Sequence, residues 1–191
     1  MEDVNLFKKG NSIYLKEISS KNQLSEDDDC DGYLLRTSES EARRIIDSLN
    51  KKKKIIAVYG NDNQFNRRSV ESMKINYLVS PEAGLRKDTL KQRDSGLNHV
   101  VAKEAKRKKI EILINLNELK VLDKKERSIR ISRIIQNIKV CRKAKCGIKI
   151  ASFAKNKEDL FEKKQRESIG QSFGMSSLQV KNCCMFDLKK D

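Results

Sequence analysis

The sequence predicts an α/β fold in which short parallel strands alternate with amphipathic helices. Five runs rich in Ile, Val, Leu or Tyr have the length and β-branching of strands covered on both faces. They recur at roughly 20 to 35 residues with helical patterns between them, which is typical of right-handed βαβ units. The runs are GYLLR at 32, IIAVY at 55, INYLV at 75, IEILINL at 110 and GIKIAS at 147.

Two of the intervening segments carry clear helical signals. The segment SESEARRIIDSLN at 38 places Ser38 as an N-cap three residues before Glu41, which is the spacing of a capping box. Its apolar residues recur at helical spacing, and the same periodicity returns between 126 and 145, where Gly147 is expected to stop the helix. The two apolar stripes comprise Ala42, Ile45, Ile46 and Leu49, and Ile131, Ile134, Ile135, Ile138 and Cys141.

Either an α/β barrel or an open parallel sheet satisfies this pattern. The chain has 191 residues, whereas a full eight-unit barrel usually needs about 250, so we expect six or seven strands, counting a weak one near VNLF at 4. We expect one domain over residues 1–191, with a weakly defined acidic segment at 1–31. Within that segment EDDDCD at 26 is expected to be a solvated linker, because consecutive carboxylates rarely converge on one ion.

The charge balance indicates a polyanionic partner. The chain has 42 Lys and Arg against 27 Asp and Glu, a formal net charge of +15. Cationic surfaces attract polyanions at long range, and nucleic acid is the commonest of these. Residues 1–31 have the opposite charge balance, with four Lys and eight acidic residues.

Location and redox state follow from what the sequence lacks. No apolar run is long enough to cross a bilayer and MEDVNLFKKG lacks the apolar core of a signal peptide, so we expect a soluble, cytoplasmic protein without a membrane partner. The five Cys do not follow the paired spacing of a zinc site, and we expect reduced, structural thiols.

The loop VSPEAGLRKDTLKQRDSG after the strand INYLV is the first candidate site, because function in parallel α/β folds gathers at the carboxyl ends of strands. We expect a helix to begin near Ser95 and Gly96, capped by Asp94 or Ser95. The free amides of its first turn would then form an anion site.

That helix should present two faces. Leu97, Val101 and Ala105, with Val100 beside them, form a stripe expected to pack on the sheet. The chain's only histidine, His99, falls on the opposite side with Lys103 and Lys106, and a single histidine cannot populate a multi-histidine metal site.

A contact surface for nucleic acid is therefore the favoured interpretation of the loop and helix. Asp88 and Asp94 stand beside Arg86, Lys87 and Arg93, which would hold both carboxylates ionised as orienting partners rather than proton carriers. A solvated charged face comes second, and a catalytic centre last.

The same residues carry a family resemblance. They closely resemble the third protein component of archaeal ribonuclease P, the family of the 30-kilodalton subunit of the eukaryotic enzyme. The resemblance covers roughly residues 32 to 186 and is most specific from Asp94 to His99, with Ala102 and Lys103. Its segments are IIAVYGNDNQFNRRSVES at 55, VSPE at 79, RKD at 86, RDSGLNHVVAKEAKRKK at 93, IEILINL at 110 and GIKIASFAKNKEDLFEKKQRESIGQSFGM at 147.

The resemblance implies a TIM-like barrel with fewer than eight units, related to the metal-dependent phosphoesterases of the PHP type but without their metal ligands. It implies a protein subunit of the ribonucleoprotein that removes the 5′ leader from precursor tRNA, in which the RNA subunit supplies catalysis with magnesium. The chain itself would bind no cofactor and have no catalytic residue. Its partners would be the ribonuclease P RNA, a small ferredoxin-like subunit and other ribonuclease P proteins.

The RNA-binding or structural motif implied by the family maps onto Arg67, Arg86, Lys87, Arg93, Asp94, Ser95, Gly96, His99 and Lys103. Here the family's compact basic run is interrupted, because Leu85 separates Gly84 from Arg86 and TLKQR precedes the second Asp-Ser-Gly. Either Arg86 and Lys87, or Arg93, fills the family's basic position. Because the amino-terminal part is short, an incomplete barrel on that side is also consistent with the sequence. A stand-alone barrel phosphoesterase or nuclease, and a basic RNA-binding assembly protein of another particle, are the alternatives.

Overall fold

The computed structural model describes residues 2–25, 28–49, 52–84, 88 and 93–186. Seven parallel strands pair in chain order, each with the next. The strands are β1 Asp3–Asn5, β2 Ser12–Ile18, β3 Gly32–Leu35, β4 Ile55–Tyr59, β5 Tyr77–Val79, β6 Glu111–Asn115 and β7 Ile148–Ala151.

The sheet curls into a nearly closed barrel. Just beyond β7, the Phe153 amide donates to the Val4 carbonyl at 2.9 Å, and the Leu6 amide donates to the Ala154 carbonyl at 2.8 Å. These bonds join the last strand to the first, so the barrel of fewer than eight units expected from the sequence is confirmed.

Seven α-helices lie among the described residues. They are α1 Glu39–Leu49, α2 Asn63–Ser72, α3 His99–Arg107, α4 Leu116–Val121, α5 Lys124–Ala144, α6 Lys163–Ser172 and α7 Ser177–Asn182, with 3-10 turns at Lys21–Gln23 and Lys157–Asp159. No helix in these ranges combines the length and apolarity that a membrane span requires.

Two apolar layers follow from the period-two alternation of side chains along the strands. One face of each strand fills the barrel interior, as Leu34, Ala57 and Leu113 do. The other face packs under the helices, as Leu35, Val58 and Ile114 do. The five predicted strand runs are confirmed, and their continuous hydrophobicity reflects burial on both faces.

The amino-terminal side departs from the βα repeat. Among the described residues, no α-helix connects β1 to β2 or β2 to β3. The weak strand near residue 4 is confirmed as β1, whereas β2 is an additional strand that the sequence analysis missed. The sheet is thus complete on this side, and it is the outer helical layer that is incomplete.

The acidic segment covers part of that gap, so the prediction of a solvated linker was wrong for Asp28 and Asp31, whereas Asp29 is 81% exposed. An oxygen of Asp28 accepts from Lys16 Nζ at 2.6 Å and another from the Tyr33 hydroxyl at 3.0 Å, while Asp31 accepts from the Tyr14 amide at 2.8 Å. The carboxylates replace a helix as cover for the outer face of β2.

Two predicted helix-end signals act differently from expectation. The Glu41 carboxylate accepts from the Lys21 amide at 2.8 Å instead of returning to Ser38, so the reciprocal capping box does not form. Helix α5 ends at Lys145, which takes the left-handed conformation with φ of 55°, two residues before Gly147. All five Cys are buried and unbridged.

Candidate nucleic-acid interface at the carboxyl end of the barrel

The loops that follow the strands gather at one end of the barrel, which we call the mouth. The loop after β5 bends sharply there: Ser80 has a φ of 45°, and its amide donates to the Leu113 carbonyl of β6 at 2.8 Å. Gly60, directly after β4, lies against this bend. A Cβ at Gly60 would stand 2.6 Å from both the Pro81 Cα and the Ser80 carbonyl oxygen, so only glycine fits without a backbone shift.

The amide of Asn66 fixes three segments at the mouth. This fully buried side chain of α2 accepts from the Asn61 amide at 2.8 Å and donates to the Pro81 carbonyl at 2.9 Å and the Gly96 carbonyl at 3.1 Å. Buried backbone groups in loops require such partners because water cannot reach them. Asn66 therefore holds the loops after β4 and β5 against the segment at 94–97.

A second buried amide, Asn137 of α5, holds the same segment from the other side. Its nitrogen donates to the Ser95 carbonyl at 3.0 Å and lies 3.4 Å from a carboxylate oxygen of the buried Glu82. The most specific part of the family motif is thus clamped between two helices, α2 and α5.

Asp88 organises the basic residues beside this clamp. Its oxygens accept from the Asp94 amide at 2.8 Å, Arg133 Nε at 3.1 Å and an Arg93 guanidinium nitrogen at 3.3 Å. Burial acts to raise the pKa of Asp88, but the Asp94 amide and the two guanidinium groups outweigh it and hold the pKa below its usual range. The interpretation of Asp88 as an ionised orienting partner is supported by these contacts, and Arg133 is a partner that the sequence analysis missed.

The predicted start of α3, near Ser95 and Gly96, is wrong. Asn98 is the N-cap, and its side-chain oxygen accepts from the Val101 amide at 2.9 Å, so the helix begins at His99 and neither Asp94 nor Ser95 caps it. The helix cannot begin earlier because the Ser95 and Gly96 carbonyls are bonded to Asn137 and Asn66, and Gly96 has a φ of 75°. The first-turn amides on which an anion site was predicted therefore follow Asn98 and not Ser95.

The predicted faces of α3 are mostly correct. Val101 and Ala105 are buried, while His99, Lys103 and Lys106 are exposed. Val100 was expected in the buried stripe, but it is 64% exposed and Ala102 takes its place. The exposed surface of α3 consequently combines an imidazole, two ammonium groups, the Arg107 guanidinium and one apolar side chain.

The remaining motif residues are spread around the clamp. Arg67 is exposed on α2 and pairs with Glu71 at 2.7 Å, while Asn63, one turn earlier on α2, donates to Asp94 at 2.9 Å. Arg93 is exposed and Ser95 and Gly96 are buried. Arg86 and Lys87 lie outside the described residues. The structure thus joins the 93–96 segment to α2 and places His99 and Lys103 one turn apart on α3.

An aromatic and ionic network occupies the centre of the mouth. The Tyr59 hydroxyl donates to Glu118, the Arg36 guanidinium lies 3.8 Å from the centre of the Tyr59 ring, and Arg130 stands 3.6 Å from Glu118. Burial and the Glu118 carboxylate raise the pKa of Tyr59, so this hydroxyl stays protonated as a donor.

Paired carboxylates and exposed cations characterise the mouth. Across the described ranges, no three His, Cys, Asp or Glu side chains converge in a way that could hold a metal ion. Asp88 pairs with Arg93 and Arg133, and Glu118 lies beside Arg130. Arg93, His99 and Lys103 are exposed. Sequence reasoning missed the network at Arg36 and Tyr59, although both follow or end strands. It also missed Asn137 and Arg133, which lie four apart beside the isoleucine stripe of α5.

Comparison with known proteins agrees with this geometry. Ribonuclease P protein component 3 of Methanothermobacter thermautotrophicus is 25% identical over 167 residues, which are 87% of this chain and 65% of the relative. The protein of the same name from Methanocaldococcus jannaschii is 28% identical over 127 residues, 66% of this chain and 52% of the relative. The chain thus spans between about half and two thirds of the length of these curated relatives.

Solved structures share the fold. A chain in the cryo-EM structure of archaeal ribonuclease P with mature tRNA superposes with a TM-score of 0.74 at 21% identity, covering 95% of this chain and 85% of that chain. A prolidase complexed with N-methylphosphonate-L-proline superposes with a TM-score of 0.54 at 11% identity, covering 78% of this chain and 35% of the prolidase.

The family assignment comes from the sequence as a whole. The model of the family described as RNase P subunit p30 matches residues 34–187, which include the end of β3, all of β4 to β7, the clamped segment and all of α3. This chain belongs to the RNase P subunit p30 family.

Proposed function

We propose that this chain is a protein subunit of ribonuclease P, the ribonucleoprotein that removes the 5′ leader from precursor tRNA. The observation that carries the proposal is the family match over residues 34–187. In this complex the chain supports the RNA subunit, which performs the cleavage with magnesium ions. The chain itself binds no cofactor and contributes no catalytic residue.

The geometry of the mouth supports a role in binding. An RNA fold that brings phosphates together suffers repulsion, and Lys and Arg side chains relieve it while releasing counterions. Arg93 and Lys103 are exposed next to a segment that the buried Asn66 and Asn137 amides hold in place. A held backbone beneath exposed cations suits recognition of phosphate position and RNA shape rather than base sequence.

We further propose the ribonuclease P RNA and other ribonuclease P proteins as partners, among them the small ferredoxin-like subunit, with precursor tRNA as the substrate of the complex. The proposed place of action is the cytoplasm. The exposed surface of α3, on which Val100 is 64% exposed among basic side chains, offers contacts to RNA and to protein.

Reconstitution tests the proposal. Cleavage of precursor tRNA should be measured for the chain alone and for an archaeal ribonuclease P RNA with its other proteins, with and without this chain, over a magnesium series. We expect no cleavage by the chain alone and a lower magnesium requirement when it joins the RNA.

The same assay separates the other functions. Cleavage by the chain alone that disappears in His99→Ala would identify a stand-alone nuclease. RNA binding without any effect on cleavage would identify an assembly protein of another particle.

A further inference from the structure

A second basic surface lies at the opposite end of the barrel from the mouth. Here the connections that enter β4, β5 and β6 enclose a groove of about 940 Å³. Among its lining residues Glu71 is the only acid, whereas the lysines are Lys52, Lys53, Lys54, Lys74, Lys108 and Lys109. We call this surface the lysine groove. Part of the KKKK run at 51 thus meets lysines that are distant in sequence.

Structural roles explain only part of this concentration. Lys54 Nζ donates to the Asp28 and Cys30 carbonyls, and Lys108 Nζ donates to the Glu71 carbonyl near the end of α2. Lys52, Lys53 and Lys74, by contrast, are exposed. Lysines near the carboxyl end of a helix interact favourably with its dipole. The last turn of α3 already holds Lys106 and Arg107 for this purpose.

Lys109 has a backbone conformation that lysine seldom adopts. It follows the end of α3 with a φ of 59°, a left-handed conformation that favours glycine. A lysine in this position adds a cation to the groove where the local conformation alone would favour a residue without a side chain.

The composition of the groove favours a polyanion over an apolar partner. Its apolar residues Leu49, Met73 and Ile110 are buried, and the large apolar side chains exposed in the described part of the chain lie elsewhere, at Val100, Val121, Leu178 and Met185. No aromatic residue lines it, so base stacking is excluded as its means of binding.

We propose that the lysine groove binds the sugar–phosphate backbone of RNA. The chain then contacts RNA at both ends of its barrel and bridges two RNA segments. That the RNA is the ribonuclease P RNA rests on the proposed function, whereas the backbone chemistry of the groove does not.

The first test removes three exposed charges together. The variant Lys52→Gln, Lys53→Gln, Lys74→Gln is compared with the matched variant Lys139→Gln, Lys164→Gln, Lys181→Gln, whose lysines are exposed on α5, α6 and α7. Fluorescence anisotropy over a potassium chloride series measures binding to an oligouridine of about 20 nucleotides and to an archaeal ribonuclease P RNA. Each single-strand phosphate contact contributes about 0.7 to the slope of log K against log salt, so three lost contacts should flatten it by about two units.

The control variant should change the slope of log K against log salt by less than half as much as the groove variant does. Equal slopes in the two variants would overturn the proposal. So would unchanged RNA binding by the groove variant together with lost binding of a protein partner, since the groove would then hold an acidic protein surface.

The variant Lys109→Gly separates binding from structure. If the groove binds RNA, Lys109→Gly should bind RNA more weakly than wild type. Its Tm should be unchanged or higher, because glycine suits the left-handed conformation. A lower Tm with unchanged RNA affinity would show that Lys109 serves the end of α3 and would contradict the proposal.

The outcomes remain distinct from those of the proposed function. If the wild-type chain fails to support precursor tRNA cleavage, the oligouridine measurement still decides whether the groove binds RNA. If the chain supports cleavage and the groove variant matches the control in both assays, the subunit assignment stands and the groove proposal fails.

Discussion

Asp88 connects charges that would otherwise repel one another. Arg93 and Arg133 reach it from the segment before α3 and from α5, and the Asp94 amide completes its coordination. The Asp88 side chain is only 14% exposed, so it interacts with its partners in a medium of lower effective dielectric than water. The carboxylate therefore links the cationic segment to the rest of the mouth.

Replacing Asp88 with Asn should make stability less dependent on acid pH. Because the folded-state pKa of Asp88 is lowered, its stabilising contribution is complete above the unfolded pKa of about 4 and is lost as pH falls through the folded value. The free energy of unfolding of wild type should exceed that of Asp88→Asn most at pH 6, and the gap should narrow towards pH 3. Urea titrations at several pH values measure it.

Asp47→Asn, which alters an exposed carboxylate on α1, is the matched control and should give a smaller gap at pH 6. A gap between wild type and Asp88→Asn that stays constant from pH 6 to pH 3 would contradict this account of the ion pairs.

The residues of the site differ in how readily they could be predicted from the sequence. The charge excess and the family resemblance point to Arg93, His99 and Lys103, which are exposed as a contact surface requires. Asn66 and Asn137 cannot be identified by such signals, because an asparagine looks alike whether it is solvated or satisfies buried carbonyls. Their role depends on where the helices α2 and α5 dock.

At the scale of elements, two loops at the mouth determine each other's shape. The Gly60 amide donates to the Val79 carbonyl at 2.6 Å, and the turn at Ser80 and Pro81 passes directly over Gly60. The loop after β5 can bend as it does only because the loop after β4 has no side chain at this position.

A methyl group at Gly60 should displace the loop after β5. In Gly60→Ala the new Cβ would lie 2.6 Å from two backbone atoms, which cannot rotate away as a side chain can. We expect a loss of about 1 to 3 kcal/mol in the free energy of unfolding, as for other overpacked sites, together with weaker RNA binding. Chemical denaturation and anisotropy measure the two effects.

Gly10→Ala is the matched control, because a Cβ at Gly10 would meet nothing within 4 Å. Its stability should stay within about 0.5 kcal/mol of wild type. If both alanine variants behave alike, the close passage of the two loops does not constrain the mouth.

Elements covered by helices could be predicted, and the exceptions have physical causes. The runs that became β3 to β7 are buried on both faces and so read as continuous apolar segments. Strand β2 was missed because Ile13 and Leu15 face the barrel interior, whereas Lys16 on the other face pairs with Asp28 and interrupts the apolar run. The start of α3 was misplaced because Asp94, Ser95 and Asn98 are all good caps, and only tertiary contacts at Ser95 and Gly96 select Asn98.

At the scale of the whole molecule, Arg166 links the first strand of the barrel to the last. This side chain of α6 is 2% exposed, pairs with Asp3 at 3.1 Å, and donates to the carbonyls of Ile150 at 3.2 Å and Glu2 at 2.6 Å. It thereby fastens β1 against β7 where the sheet closes.

Replacing Arg166 with Met should destabilise the entire barrel. The change leaves the Asp3 carboxylate buried without its cation, and breaking a buried pair in this way costs about 3 to 5 kcal/mol. The global unfolding midpoint in urea should fall accordingly. Arg166→Lys, which keeps the charge but not the forked donor, should lie between Arg166→Met and wild type.

The surface variant Arg44→Met, at a side chain that is 75% exposed, controls for the loss of one positive charge and should shift the free energy of unfolding by less than about 0.5 kcal/mol. An effect of Arg166→Met no larger than that of Arg44→Met would show that the barrel closes without this contact.

The Asp3–Arg166 contact also sets an order of events during synthesis. The two residues are 163 positions apart, so β1 leaves the ribosome long before the arginine that fastens it. At about 5 to 20 residues per second, the delay is roughly 10 to 30 seconds. For that interval β1 has no partner strand on its β7 side, and an unpaired strand edge is a template for pairing with other chains. The nascent protein therefore exposes an unpaired edge of β1 until β7 has emerged, and that edge is not fastened until α6 follows.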